Sequence, residues 1–215
     1  DLPALLEKAC ETGAKLVYFA NPDNPMATWS KGADVLKALE RLPEGCLLVL
    51  DEAYIEFAPE GTAAPIQIED PRVIRMRTFS KAYGLAGARV GYALGAAPLI
   101  MAFNKIRNHF GMNRTSQIGA LEALKDQSYL GDTLANVSAA RQTIAEIASA
   151  NGLSSLPSAA NFVAIDCGQD GAFAKAVLDG LIKRGVFVRM PFVAPQNRCI
   201  RVSCGTPADL DSLAA

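Results

Sequence analysis

Apolar residues fall into short unbroken runs in the first part of this chain and into three- and four-residue spacings later. The runs "KLVYFA" (15–20), "CLLVLD" (46–51), "RVIRMRT" (72–78) and "RVGYALG" (89–95) are brief, continuous and rich in Val and Leu. That is the pattern of buried parallel strands. A helical pattern through "DVLKALERL" (34–42) stops at Pro43 and Gly45. From Pro98 to about Ala150 the spacing in "LIMAFNKIRNHF" and "SQIGALEALKDQSYLGDTLANVSAARQTIAEIASA" predicts long helices. The stretch "NGLSSLPS" (151–158) reads as a linker. After it come a strand "NFVAID" (161–166), a helix "AFAKAVLDGLIKRG" (172–185), and strands near "VFVRM" (186–190) and "CIRVSC" (199–204). Strands separated by helix-length segments predict an α/β layered sheet, and the tail reads as a small α+β domain. The chain has no internal repeats and no low-complexity segments.

Composition narrows the class. With 215 residues, half of them hydrophobic and a fifth charged, and a mean hydropathy of +0.16, the chain can bury a sizeable core. The formal net charge of −1 argues against nucleic acid or an anionic membrane as partner. Cys10, Cys46, Cys167, Cys199 and Cys204 form no C-x-x-C pair, and His109 is the single histidine, so no metal site is expected. Most of these cysteines have apolar neighbours and read as reduced core residues of a cytoplasmic protein. No apolar stretch approaches the length of a membrane span, and no signal peptide is evident. The chain opens at Asp1 without a methionine and soon enters a dense motif region, as expected for part of a longer protein.

The residues with chemical potential sit at the carboxyl ends of predicted strands: Asn21 and Asn24 after the first, Asp51 after the second, Lys81 after the third. In an open α/β sheet, ligands bind at that rim. Lys81 follows the hydroxyls of Thr78 and Ser80 and precedes three glycines and Arg89. Glycines 84, 87 and 91 do not fit a dinucleotide fingerprint. A pyridoxal phosphate site needs a lysine for a Schiff base, a carboxylate for the pyridine nitrogen, donors for the phenolic oxygen, and an arginine with hydroxyls for the phosphate. Lys81, Asp51, Tyr54 with Asn24, and Arg89 with Thr78 and Ser80 can supply these parts. Plainer roles compete: Asp51 and Glu52 as a helix-capping pair, and Glu52 and Glu56 as helix-surface charges or charges behind the site. Trp29 and Met26 read as packing residues, and His109 as a packing or capping one. Arg201 either faces inward to an anionic partner or lies on a solvent-facing edge; periodicity leaves both open.

The stretches "NPDNP" (21–25), "LLVLDEAYIEFA" (47–58), "RTFSKAYGLAGARVGYALG" (77–95) and "NRCIRVSCGTP" (197–207) together resemble the fold type I pyridoxal phosphate-dependent aminotransferases, class I/II. Within that family the likeness is to the histidinol-phosphate aminotransferases, and it covers essentially the whole chain. The resemblance implies a partial three-layer αβα large domain with a mainly parallel sheet, over 1–112. A connecting helix and small α+β domain would follow over 113–215. It implies that Lys81 is the catalytic lysine, forming the Schiff base with pyridoxal 5'-phosphate, and that Asp51 pairs with the pyridine nitrogen. Asn24 and Tyr54 would hydrogen-bond the phenolic oxygen, and Thr78, Ser80 and Arg89 the phosphate. Arg201 would grip the substrate α-carboxylate with help from Asn161, and Arg189 would reach the distal group of the substrate. The implied reaction moves an amino group from histidinol phosphate to 2-oxoglutarate by ping-pong kinetics, in a cytoplasmic homodimer acting on small molecules.

Other readings share these motifs: an aromatic or broad-specificity aminotransferase, a phosphothreonine decarboxylase-like enzyme, or a cofactor-sensing regulatory domain. The chain also departs from the family pattern. Where the family continues N-P-T-G, this chain reads "NPMATW"; Met26 and Ala27 lose the hydroxyl and the free turn but keep Asn24. Arg114 follows Asn113 where a small or apolar residue is expected. The family's phosphate loop and ring-stacking aromatic do not occur before Asn21.

Overall fold

A computed structural model describes residues 1–215. The chain forms two compact units. One comprises Asp1–Pro22 with Trp29–Leu130, and the other Asp23–Thr28 with Gly131–Ala215.

The first unit is built on a four-stranded sheet in the order β1 (Leu16–Ala20), β2 (Leu47–Asp51), β3 (Val73–Thr78) and β4 (Gly91–Gly95). The first three strands are parallel, and β4 runs antiparallel to β3. The expected mixed α/β fold with a mainly parallel sheet is therefore present. The run at 89–95, read with the others as a parallel strand, is antiparallel instead: residues 79–90 form turns and a short 3₁₀ segment rather than a crossover helix, and bring the chain back beside β3. Helices α1 (Leu2–Thr12) and α2 (Gly32–Ala38), with the 3₁₀ turn Leu39–Arg41 that follows, cover one face, packing Leu2, Leu6, Val35 and Leu39 against Val17, Leu48, Leu50 and Val73. On the other face Leu16 and Tyr18 stay more than half exposed. The α1 helix, which the apolar pattern did not reveal, starts where Asp1 accepts from the Ala4 amide and stops at a left-handed Gly13.

Two of the expected long helices are shorter. The stretch 99–110 is helical only through α3 (Ala97–Ala102) and a single tight turn over Phe103–Lys105. His109 and Phe110 sit in an exposed turn beyond it, so His109 is not a packing residue. The pattern at 116–150 breaks into α4 (Arg114–Lys125) and α5 (Gln127–Ala150). Asp126 divides them because its carboxylate accepts the Tyr129 amide at 3.0 Å, capping a new helix instead of continuing the old one. Asn113 caps α4 by accepting from Ser116 at 2.7 Å, which places Arg114 as the exposed first residue of that helix.

The second unit carries a three-stranded antiparallel sheet of β5 (Ser154–Ser155), β6 (Phe162–Asp166) and β7 (Cys199–Ser203). Ile144 and Ala148 of α5, Ala174 of α6 (Gly171–Lys183) and Leu210 of α7 (Pro207–Ala214) pack on Val163, Ile165, Ile200 and Val202. The predicted strand at 186–190 reduces to one bridge between Arg189 and Arg201. The α7 helix, unseen in the apolar pattern, is set by a reciprocal capping box between Thr206 and Asp209. All five cysteines are free, with Cys46, Cys167 and Cys199 buried and Cys10 exposed. No helix is long and apolar enough to cross a membrane.

Candidate active site

Side chains alternate between the two faces of a strand, and this decides what the Asp51–Glu52 pair does. Glu52 falls on the face of Leu48 and Leu50, is 1 % exposed, and is not a helix-surface charge. Arg75 clamps it with two bonds, Nε to Oε2 at 3.1 Å and Nη2 to Oε1 at 2.7 Å. Arg77 adds a third through Nε at 2.9 Å. Burial pulls the Arg77 guanidinium down, but its pairing with Glu52 more than offsets this and holds it above its usual value. Glu56 lies beside this cluster, where burial pushes its carboxyl up against the pull of its own backbone amide and of Arg77.

Asp51 points the other way, at the carboxyl end of β2. Its Oδ1 accepts from the Ala53 amide at 2.9 Å, and its Oδ2 accepts from the hydroxyl of Tyr18. Tyr54 follows in a buried position at the start of a short 3₁₀ turn over Ile55–Phe57. The ammonium of Lys81 lies 5.1 Å from the centre of the Tyr54 ring, within cation–π range. Lys81 leaves the end of β3 two residues after Phe79, whose amide bonds to Val90 O at 3.1 Å. The Thr78 hydroxyl accepts from the Ser80 amide at 3.0 Å.

The glycines between Lys81 and β4 bring the chain back beside its start. Gly84 takes a left-handed φ of +69°, open to glycine at no steric cost. At Gly91 a Cβ would lie 2.8 Å from the Arg77 carbonyl oxygen, so only glycine lets β4 close on β3 there. Arg89 itself is left-handed at φ 54°. Its exposed guanidinium donates to the Ala86 carbonyl at 2.9 Å, and its backbone enters the sheet opposite Thr78 through Val90 and Gly91.

Asn24, Asn161, Arg189 and Arg201 belong to the second unit. Arg201 donates through Nη1 to Asn24 Oδ1 at 2.6 Å, and its guanidinium stacks 4.7 Å from the Phe162 ring centre. Its partial burial beside these groups excludes the idle solvent-facing edge. Arg189 and Arg201 exchange both backbone hydrogen bonds, at 3.1 and 2.6 Å, so their side chains emerge on one face. Both line a mostly apolar cavity of about 550 Å³ with Phe187, Met190 and Phe192. Asn161 is half-buried and its carbonyl accepts from Cys204 at 2.9 Å. The departure "NPMATW" also resolves here. Met26 is buried and Ala27 fully so, with Ala27 at φ 60° in the left-handed conformation that a glycine would hold more cheaply.

The donor set fits the group that the resemblance implies. The rim of the first unit offers a carboxylate, a buried phenol, an amine, two hydroxyls and a guanidinium, one for each demand of pyridoxal phosphate. Tyr18 and the two arginines on Glu52 were missed in the sequence because an aromatic or a basic residue inside a strand run carries no local mark of its partner. The spacing did hold one clue: Arg75 and Arg77 stand two apart in β3 and therefore share a face.

Comparison with known proteins agrees with this geometry. The family model for aminotransferase class I and II matches residues 1–215. A histidinol-phosphate aminotransferase 2 of Carboxydothermus hydrogenoformans is 38% identical over 211 residues, covering 96% of this chain and 57% of the relative. Another from Pseudomonas fluorescens (strain Pf0-1) is 39% identical over 214 residues, covering 97% and 56%. Among solved structures, a histidinol-phosphate aminotransferase from Sinorhizobium meliloti in complex with pyridoxal-5'-phosphate superposes with a TM-score of 0.96. It is 52% identical, and the match covers 100% of this chain and 59% of that one. The chain thus spans a little over half the length of the relatives it matches.

Proposed function

Because this chain belongs to the class I and II aminotransferase family, we propose that the complete protein is a pyridoxal phosphate-dependent aminotransferase. Its amino donor is histidinol phosphate and its acceptor 2-oxoglutarate, with the two half-reactions alternating in ping-pong order. The observation that carries this reading is the convergence of Lys81, Tyr54 and Asp51 at the carboxyl ends of β2 and β3, with the lysine ammonium 5.1 Å from the Tyr54 ring centre.

Asp51 would hold the ring nitrogen of the cofactor, Tyr54 and Asn24 its phenolic oxygen, and Thr78, Ser80 and Arg89 its phosphate. When bound, pyridoxal phosphate supplies an electron sink for the negative charge that develops at the substrate's Cα. Lys81 would be the residue that holds the cofactor at rest, and its free amine would serve as the general base for the Cα proton. Arg201 and Arg189 bind anionic groups of the substrates, since a guanidinium pairs with a carboxylate or phosphate through two parallel bonds. Asn161 assists at the same end. The working unit is a cytoplasmic homodimer, and the five free thiols suit a reducing compartment.

The test is spectroscopic and then catalytic. The complete protein should show the long-wavelength absorption band of a lysine-linked cofactor, and Lys81→Ala should abolish it. A donor panel should then rank histidinol phosphate above phenylalanine, with no carbon dioxide released from phosphothreonine. A band that survives Lys81→Ala would sink the assignment of the lysine.

A further inference from the structure

Tyr18 stands in the edge strand β1, on the face opposite the helix-packed core. In the parallel register Tyr18 pairs with Val49 and Ala20 with Asp51. Tyr18 and Asp51 therefore share a face and are diagonal neighbours on adjacent strands. A tyrosine is long enough to cross that diagonal, and its hydroxyl donates to Asp51 Oδ2. The Ala53 amide takes Oδ1 at 2.9 Å. Each carboxylate oxygen thus has its own donor, one from side chain and one from backbone. Two donors on two oxygens fix both the plane and the rotation of a carboxylate, which a single bond leaves free to swing.

Resting on the reading above, we infer that Tyr18 is a positioning residue for Asp51. It aims the carboxylate that faces the ring nitrogen of the cofactor, while Ala53 anchors the near oxygen. An ionised carboxylate has about four lone-pair sites, so Oδ2 can accept from Tyr18 and still receive a second donor. The bond is charge-assisted, and Tyr18→Phe removes the hydroxyl while keeping the ring. That separates the role of the hydroxyl from the stability of the strand.

The experiment compares the complete parent protein with Tyr18→Phe and Asp51→Asn, each loaded with pyridoxal phosphate isotope-labelled at the ring nitrogen. Tyr18→Phe should keep the Lys81-dependent absorption band. Its ring-nitrogen resonance should move part of the way from the parent's toward that of Asp51→Asn, and kcat should fall about tenfold with KM changed by less than about twofold. A ring-nitrogen resonance that stays on the parent's overturns the inference, including the case in which only the thermal midpoint falls and the strand has merely lost a tie. A parent protein lacking the Lys81-dependent band overturns the cofactor reading and this inference with it.

Discussion

Arg201 and Asn24 lie 177 residues apart in sequence, and the guanidinium of one donates to the amide oxygen of the other at 2.6 Å. The bond aims an arginine that also stacks on Phe162, so two contacts hold the guanidinium in one orientation. Preorganisation of this kind lowers the cost of binding an anion.

Arg201→Lys should raise KM for both the amino donor and the oxo acid, with a smaller effect on kcat. A lysine replaces the planar fork with a point charge, and a carboxylate grip is made in ground and transition states alike. Asn24→Ala should lower kcat/KM by about tenfold or more, the value of one charge-assisted hydrogen bond. Steady-state kinetics with each substrate varied in turn checks both; unchanged KM values for Arg201→Lys would remove Arg201 from substrate binding.

Glu52→Ala should destabilise the first unit by about 3 kcal/mol, because it strands Arg75 and Arg77 without their shared carboxylate. Both arginines keep some solvent access, which places the effect at the low end for a broken buried pair. Denaturant unfolding of the complete protein measures it. The double change Glu52→Leu with Arg75→Met should recover part of the loss, since only Arg77, the more exposed of the two arginines, is then left without its carboxylate.

Gly91→Ala should cost about 1–3 kcal/mol, as the new methyl meets the Arg77 carbonyl at 2.8 Å and forces β3 and β4 apart. Gly87→Ala is the matched control: nothing lies within 4 Å of a Cβ there, and its unfolding midpoint should stay at or above the parent's. Thermal unfolding of the two variants side by side decides between a packing requirement and a general need for chain freedom in this loop.

Burial pushes the thiol of Cys204 up to about 11, so at pH 8 it is protonated and unreactive. Iodoacetamide at that pH should modify the exposed Cys10 and spare Cys204, read by peptide mass spectrometry. The sign for stability follows from the same shift. Below the unfolded thiol's value both states hold the proton. Between about 9 and about 11 only the folded state does, and each step upward in pH favours unfolding. The contribution of this thiol should therefore decline across that window, and Cys204→Ser should flatten the decline.

The sequence by itself determined the main strands, most of the helices between them and the rim on which the candidate chemistry sits, though not α1, α7 or the loss of the strand at 186–190. Those features are local: apolar runs such as "CLLVLD" set strands through alternation, and Thr78, Ser80, Lys81 and Arg89 are close neighbours in the chain. Helix ends were less legible where one polar side chain decided them, as Asp126 does by capping α5. The tertiary structure alone decided pairings across strands. It turned β4 antiparallel and buried Glu52 between two arginines. It also set the Tyr18 hydroxyl on Asp51 and tied Asn24 to Arg201. The physical reason is that a hydrogen bond or ion pair depends on distance in space. Register and strand order set that distance, and both emerge only when the whole sheet closes.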